Sequence, residues 1–137
     1  MEVSEKIVYC ADAIVHYGNM KRIVLVERLG GVNGLALPGG KQNTGENLSE
    51  TIRREVREET GLHFVPEEVL GIYADPMRDP RGRYISCVFI GMAHGVMRDE
   101  PGKTRVVMKD LRDLESFKAD LMFDHARILS EYVAHNS

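Results

Sequence analysis

Apolar residues crowd two early stretches of the chain, Ile7 to Tyr17 and Arg22 to Arg28, both rich in Val, Ile and Ala. That composition predicts two strands, and the "YGNM" between them predicts an antiparallel hairpin because Gly18 and Asn19 tolerate positive φ. "LGGVNG" reads as a loop and "LAL" as a short strand, ended by Pro38, Gly39 and Gly40 because proline cannot donate to a ladder. From Asn47 the period changes. Leu48, Ile52 and Val56 recur at helical spacing with charges between them, Asn47 and Glu50 form a capping-box pair, and Gly61 is placed to end the helix, so a helix over roughly 47 to 60 is expected.

Phe64 to Tyr73 and Tyr84 to Ala93 predict two further strands joined by "ADPMRDPRGR", whose prolines and glycine forbid regular structure. "TRVVM" is a short strand and "KDLRDLESF" a turn or short helix. "DLMFDHARILSEYVAH" is expected to be a terminal helix with Met122, Ala126, Leu129 and Val133 on one face. Strands flanked by helices in this order predict an α+β fold, a mixed sheet covered on both sides.

A chain of 137 residues, 43% hydrophobic and 28% charged, is expected to form one globular domain over residues 1–137. Its mean hydropathy of -0.25 fits water, and no membrane role is expected. "MEVSEKIVYC" lacks the basic and apolar segments of a leader, so a cytoplasmic location is expected. Cys10 and Cys87 sit in apolar runs and read as core residues. A net charge of -3 argues against nucleic acid as a partner, since polyanions need clustered cations. Arg78, Arg81 and Arg83 instead share one loop, which suits a small anion.

The chemistry gathers where the first helix ends. At about 100° per residue, Glu55, Glu58 and Glu59 lie within roughly 100° of arc and can converge on one point. Unaided, the arrangement is unfavourable: Glu55 and Glu59 repel at i, i+4 by about 0.3 kcal/mol, and acids in a last turn oppose the helix dipole. A solvated face, with Arg54 pairing Glu50 and Glu58, accounts for the helix alone. It does not account for Glu55 and Glu59 flanking Val56 at the edge of the buried stripe, where carboxylates need a compensating cation. Mg²⁺ or Mn²⁺ suits such oxygen ligands, and Gly39 and Gly40 let bare backbone approach and add a carbonyl.

Gly40, Glu46, Arg54, Glu55, Val56, Glu58, Glu59, Gly61 and Leu62 meet every fixed position of a signature that runs through residues 40–62. In this the chain resembles the Nudix hydrolases. The resemblance implies an α/β/α sandwich with a mixed sheet, metal binding by Glu55, Glu58, Glu59 and the Gly40 carbonyl, and a structural pairing of Arg54 with Glu46. It implies hydrolysis of a nucleoside diphosphate linked to another moiety, with Glu58, Glu59 and Arg54 in the catalytic set. The proton of the attacking water would go to Glu58 or Glu59, or to a later carboxylate such as Glu100 or Glu115.

Substrate choice would rest outside the signature, on Arg28, Arg78, Asp79, Arg81 and Arg83, the arginines clamping phosphate and Asp79 accepting a sugar hydroxyl. "RDPRGRYIS" and "FDHARIL" are similar to the ADP-ribose pyrophosphatase branch, which makes ADP-ribose the first expected substrate. Where that branch often carries one proline, this chain has Pro76 and Pro80 on either side of the position. A nucleoside triphosphate pyrophosphatase is the alternative, and a non-catalytic nucleotide-sugar-binding module the reading from another class. A small-molecule partner and a homodimer follow from the resemblance alone. His16, His63, His94, His125 and His135 show no metal-binding spacing and read as structural or exposed.

Overall fold

A computed structural model of the protein describes residues 6–31 and 33–136. The first five residues of "MEVSEKIVYC" and Val32 of "LGGVNG" fall outside them. The strands are β1 (Ile7–Tyr17), β2 (Asn19–Arg28), β3 (Gly34–Ala36), β4 (Gly39–Lys41), β5 (His63–Tyr73), β6 (Arg83–His94) and β7 (Thr104–Asp110). The helices are α1 (Leu48–Thr60), α2 (Leu114–Phe117) and α3 (His125–His135). Among the described residues the strands form one mixed sheet ordered β3-β2-β1-β6-β5, with β4 on β1 and β7 on β2. Among the same residues no helix is long and apolar enough to cross a membrane.

Because successive side chains in a strand face opposite ways, the sheet builds two cores at once. Ala11, Ala13 and Val15 of β1 and Val24 of β2 pack with Ile52 and Val56 of α1. Ile14 of β1 and Ile23 and Leu25 of β2 pack with Phe117 of α2 and Ile128 and Leu129 of α3. The result is the expected sandwich, with helices on both faces of a mixed sheet. β1 lies at its centre, parallel to β6 along its whole length, while its other edge is shared by β4 over Cys10–Asp12 and by β2 further on.

The helix α1 starts and stops where its caps dictate. The Asn47 Oδ1 accepts from the Glu50 N–H at 2.8 Å, and the Glu50 carboxylate accepts from the Asn47 N–H at 3.0 Å. Gly61 ends it at φ 77°, a left-handed conformation that favours glycine.

Two expectations need correction. The strand β3 does end before Pro38, but Gly39 and Gly40 are not loop: they form β4, paired with Asp12 and Ala11. A Cβ at Gly39 would lie 2.3 Å from the Ala11 carbonyl oxygen and 2.2 Å from Asp12 Oδ1, so only glycine lets this strand come so close. Gly39→Ala is therefore expected to destabilise the fold by about 1–3 kcal/mol, the range for an overpacked core, read as a lower urea midpoint at unchanged slope. A variant as stable as the parent would show that β4 can retreat without loss.

The second correction concerns the terminal helix, which begins at His125 and leaves Met122 outside it. Its buried face is His125, Ile128, Leu129 and Tyr132, so of the expected stripe Leu129 belongs to it and Val133 packs at its edge. Two buried polar residues, His125 and Tyr132, turn the face by about 80° from the expected one. Both make specific bonds that dock the helix: His125 Nδ1 accepts from the Leu37 N–H at 3.0 Å, and the Tyr132 hydroxyl lies 2.7 Å from His16 Nε2. Because His16 Nδ1 must donate to the Arg22 carbonyl at 3.2 Å, its Nε2 accepts from the Tyr132 hydroxyl.

That neutral tautomer has a consequence for acid stability. Burial holds the His16 imidazole below its usual pKa of 6.5, so the unfolded chain takes up the proton first. The contribution is complete above about pH 6.5 and is lost as pH falls below it. Denaturant unfolding from pH 7.5 to 5 should show a slope that His16→Gln reduces by up to about 1.4 kcal/mol per pH unit. Identical slopes in the two proteins would remove His16 as the source.

Candidate active site

The sheet opens where β1 changes partner from β4 to β2, and a cleft of about 210 Å³ lies there. Its floor is Asp12 of β1 and the β4 backbone, one wall is α1, and the other wall comes from the β5–β6 loop and the segment before α3. It brings together Arg28, Gly40, Glu55, Glu59, Arg78, Asp79 and Arg81 of the residues expected from sequence. Glu58, Arg54 and Arg83 are not part of the lining.

Glu55 and Glu59 are one helical turn apart and both face β4. Glu59 is 9% exposed and its carboxylate accepts from the Gly39 N–H at 2.8 Å. Burial pushes its pKa well above the usual carboxylate range, and the charges of Glu55 and Asp12 push it further in the same direction. Glu55 is also raised by burial, against the pull of Arg54, which donates to it at 2.6 Å. A Cβ at Gly40 would lie 2.5 Å from the Glu55 carboxyl carbon, so glycine here brings bare backbone against the carboxylate.

Arg54 organises the outer side of the helix. It donates to both oxygens of Glu46, at 2.6 and 3.0 Å, and to the Lys41 carbonyl at 2.9 Å. Its bond and that of the Asn43 N–H hold the Glu46 carboxyl down at about 2, and the carboxylates in return raise the Arg54 pKa. Glu58 is 47% exposed and only loosely paired with Arg54 at 3.4 Å.

These donors fit a hard divalent cation. They are oxygens only, two of them belong to carboxylates that repel each other, Glu59 buried and Glu55 half-buried, and a glycine backbone borders them. Among the described residues no three acidic, histidine or cysteine side chains already stand close enough to form a cage. Each of the two carboxylates has a donor of its own, Arg54 for Glu55 and the Gly39 N–H for Glu59.

The loop arginines have distinct surroundings. Arg78 is 4% exposed and donates as a fork to Asp124 at 2.9 and 2.8 Å, with Asp12 at 4.0 Å. Arg81 forks onto Asp79 at 3.0 and 2.7 Å and lies over the rings of Tyr84 and Phe123. Arg28 closes the far side, 5.8 Å from the Phe123 ring centroid. Arg83 begins β6 away from the cleft, and its buried Nε has no hydrogen-bond partner among the described residues.

The sequence reading gave no place in the site to the lining residues Asp12, Lys41, Tyr84 and Phe123, nor to Cys10, Leu37 and His125, which it read as core, strand and structural. Asp12 was legible in principle, being an acid in the middle of the apolar run of β1. It accepts from the Ser86 hydroxyl at 2.5 Å, and His125 Nε2 lies 3.9 Å away. Phe123 had been assigned to a helix. Of the later carboxylates, Glu100 is near enough for its charge to raise Glu55, whereas Glu115 is exposed and paired with Lys118 at 2.7 Å.

A family model described as NUDIX domain matches residues 9–132. The ADP-ribose pyrophosphatase of Methanocaldococcus jannaschii is 36% identical over 125 residues, which make up 89% of this chain and 70% of that protein. Among solved structures, the chain resembles a bifunctional NMN adenylyltransferase/ADP ribose pyrophosphatase of Francisella tularensis complexed with AMP and a manganese ion. The TM-score is 0.85 at 21% identity, covering 98% of this chain and 43% of that one. It also resembles the NUDIX domain of Shewanella oneidensis NrtR complexed with ADP ribose, with a TM-score of 0.80 at 21% identity, covering 98% and 91%. At that identity the two structures establish the fold alone.

Proposed function

The chain belongs to the Nudix hydrolase family, and from that premise we propose that it is a divalent-metal-dependent enzyme cleaving ADP-ribose or a related nucleotide sugar to a nucleoside monophosphate and a sugar phosphate. Membership makes it a pyrophosphohydrolase; the metal, the substrate and the residue roles are our reading. The observation that carries it is the buried Glu59 and the half-buried Glu55, set against bare β4 backbone in a cleft that Arg28 and Lys41 also line.

Glu55, Glu58, Glu59 and the Gly40 carbonyl would hold Mg²⁺ or Mn²⁺. Bound there, the cation supplies charge neutralisation for a diphosphate and a lowered pKa for water. Arg28 and Lys41 line the cleft as cations for the phosphates, with Arg81 joining them when it leaves Asp79. Arg78 is already neutralised by Asp124 and Asp12, so its part is to hold the β5–β6 loop against the segment before α3. Arg54 keeps Glu55 and the loop carrying Glu46 in register. The water's proton goes to Glu58 or Glu59, or to Glu100; the pairing of Glu115 with Lys118 leaves it out of this reading.

The test is hydrolysis of a panel of ADP-ribose, other nucleotide sugars, dinucleoside polyphosphates and nucleoside triphosphates with Mg²⁺. AMP released chiefly from ADP-ribose supports the proposal. Turnover of triphosphates alone would make it a nucleoside triphosphate pyrophosphatase, and no turnover would favour a non-catalytic binding module. A homodimer belongs to the same reading, and a sizing result at 15.4 kDa alone would remove it.

A further inference from the structure

Three features of the cleft mouth have no part in that reading. The Arg81 guanidinium carbon lies over two aromatic rings at once, 4.6 Å from the Tyr84 centroid and 5.1 Å from that of Phe123. Phe123 is held at φ 56°, the only non-glycine residue with positive φ among the described residues. A bulky residue in the left-handed region persists only where its surroundings fix it, and such strain gathers at ligand clamps. What fixes it here is on both sides: the Arg78 fork holds Asp124, and the His125 N–H donates to the Met122 carbonyl at 3.1 Å. Third, the cleft of about 210 Å³ is smaller than the roughly 300–1,000 Å³ usual for small-molecule sites.

We propose that Tyr84 and Phe123 form a stacking slot for the flat base of the substrate, and that Arg81 fills this slot in the empty enzyme as a removable plug. A guanidinium is planar and stacks on aromatic faces much as a base does, so one slot accepts either. Arg81 is free to exchange because its side chain is 34% exposed and, among the described residues, its carboxylate partner is Asp79 alone, two residues away. Arg78 is not, being buried in its fork to Asp124. When the base enters, Arg81 loses the rings and Asp79 but gains a diphosphate, a charge-assisted contact of the same kind. Its departure also enlarges the cleft, and the emptied Asp79 faces the nucleoside with two acceptor oxygens. The nearly balanced exchange lets a base enter without an opening motion of the backbone.

The proposal rests on the substrate being a nucleoside diphosphate derivative, and its test separates the two. Affinities for adenosine, AMP and ribose 5-phosphate are measured by calorimetry without metal, beside KM and kcat for whichever panel substrate is hydrolysed. Phe123→Leu and Tyr84→Leu are expected to weaken AMP about tenfold, to leave ribose 5-phosphate unchanged, and to raise KM more than they lower kcat. Arg81→Ala is expected to tighten adenosine about threefold or more, because the competitor for the slot is gone, while weakening ribose 5-phosphate. Folding of each variant is checked by its thermal transition, the two wall variants serving as independent tests. AMP affinity and KM unchanged in both wall variants, with hydrolysis intact, would overturn the slot and leave the enzymatic reading standing. AMP binding that both wall variants weaken, in a protein that hydrolyses nothing on the panel, would support the slot and sink the enzymatic reading.

Discussion

Glu59→Gln is expected to lower hydrolysis by about 10³-fold, what losing several kcal/mol of charge stabilisation amounts to, while leaving the fold as stable as before or more so. The two halves of that expectation come from one carboxylate. Among the described residues its only hydrogen-bond donor is the Gly39 N–H, which can donate equally well to a glutamine oxygen. What glutamine removes is a buried negative charge that Glu55 and Asp12 both disfavour, so the unliganded protein loses nothing by it. The parent alone should therefore gain thermal stability when Mg²⁺ or Mn²⁺ is added, since a cation bound to the folded state relieves that repulsion. Activity and the metal-induced shift should vanish together in the variant. A variant that keeps full activity would remove Glu59 from the site, and one that loses activity while unfolding would make its role structural.

The same residues show what was legible in the sequence and what was not. Helical spacing placed Glu55 and Glu59 beside Val56, and both are indeed at the edge of the buried face of α1. The capping box and the glycine stop were readable because each is a local event: one side chain meets one backbone group a few positions away. β4 was not readable, because Gly39–Lys41 is a strand only by pairing with Cys10–Asp12, and no local preference of two glycines announces a distant partner. The face of α3 failed for a different reason. Hydrophobic periodicity discounts histidine and tyrosine, yet His125 and Tyr132 are buried through bonds to Leu37 and His16. Pairing likewise divided the loop arginines, which the sequence had grouped by proximity: Asp124 lies far along the chain, and only the fold shows that it has claimed Arg78.

Arg54→Lys is expected to cost about 10–100-fold in activity, the usual effect of removing a residue that orients metal-binding groups, although it preserves the charge. The argument is geometric. Arg54 serves four separate acceptors at once: two oxygens of Glu46, one of Glu55 and the carbonyl of Lys41. Those donors point along fixed directions of a planar fork, whereas an ammonium offers three donors from a single point at the end of a shorter reach. Lysine can satisfy Glu46 or Glu55 but not both together with the carbonyl that ties β4 to α1. With Glu55 released from Arg54, its carboxylate is no longer fixed and the oxygen set that fits a cation loses its shape. The expected signature is a rise in the concentration of Mg²⁺ needed for half-maximal rate, partly recovered at saturating metal, with KM for the nucleotide substrate nearly unchanged. A fall in kcat that saturating metal does not relieve would instead place Arg54 against the substrate, and a variant indistinguishable from the parent would reduce its contacts to those of an ordinary surface pair.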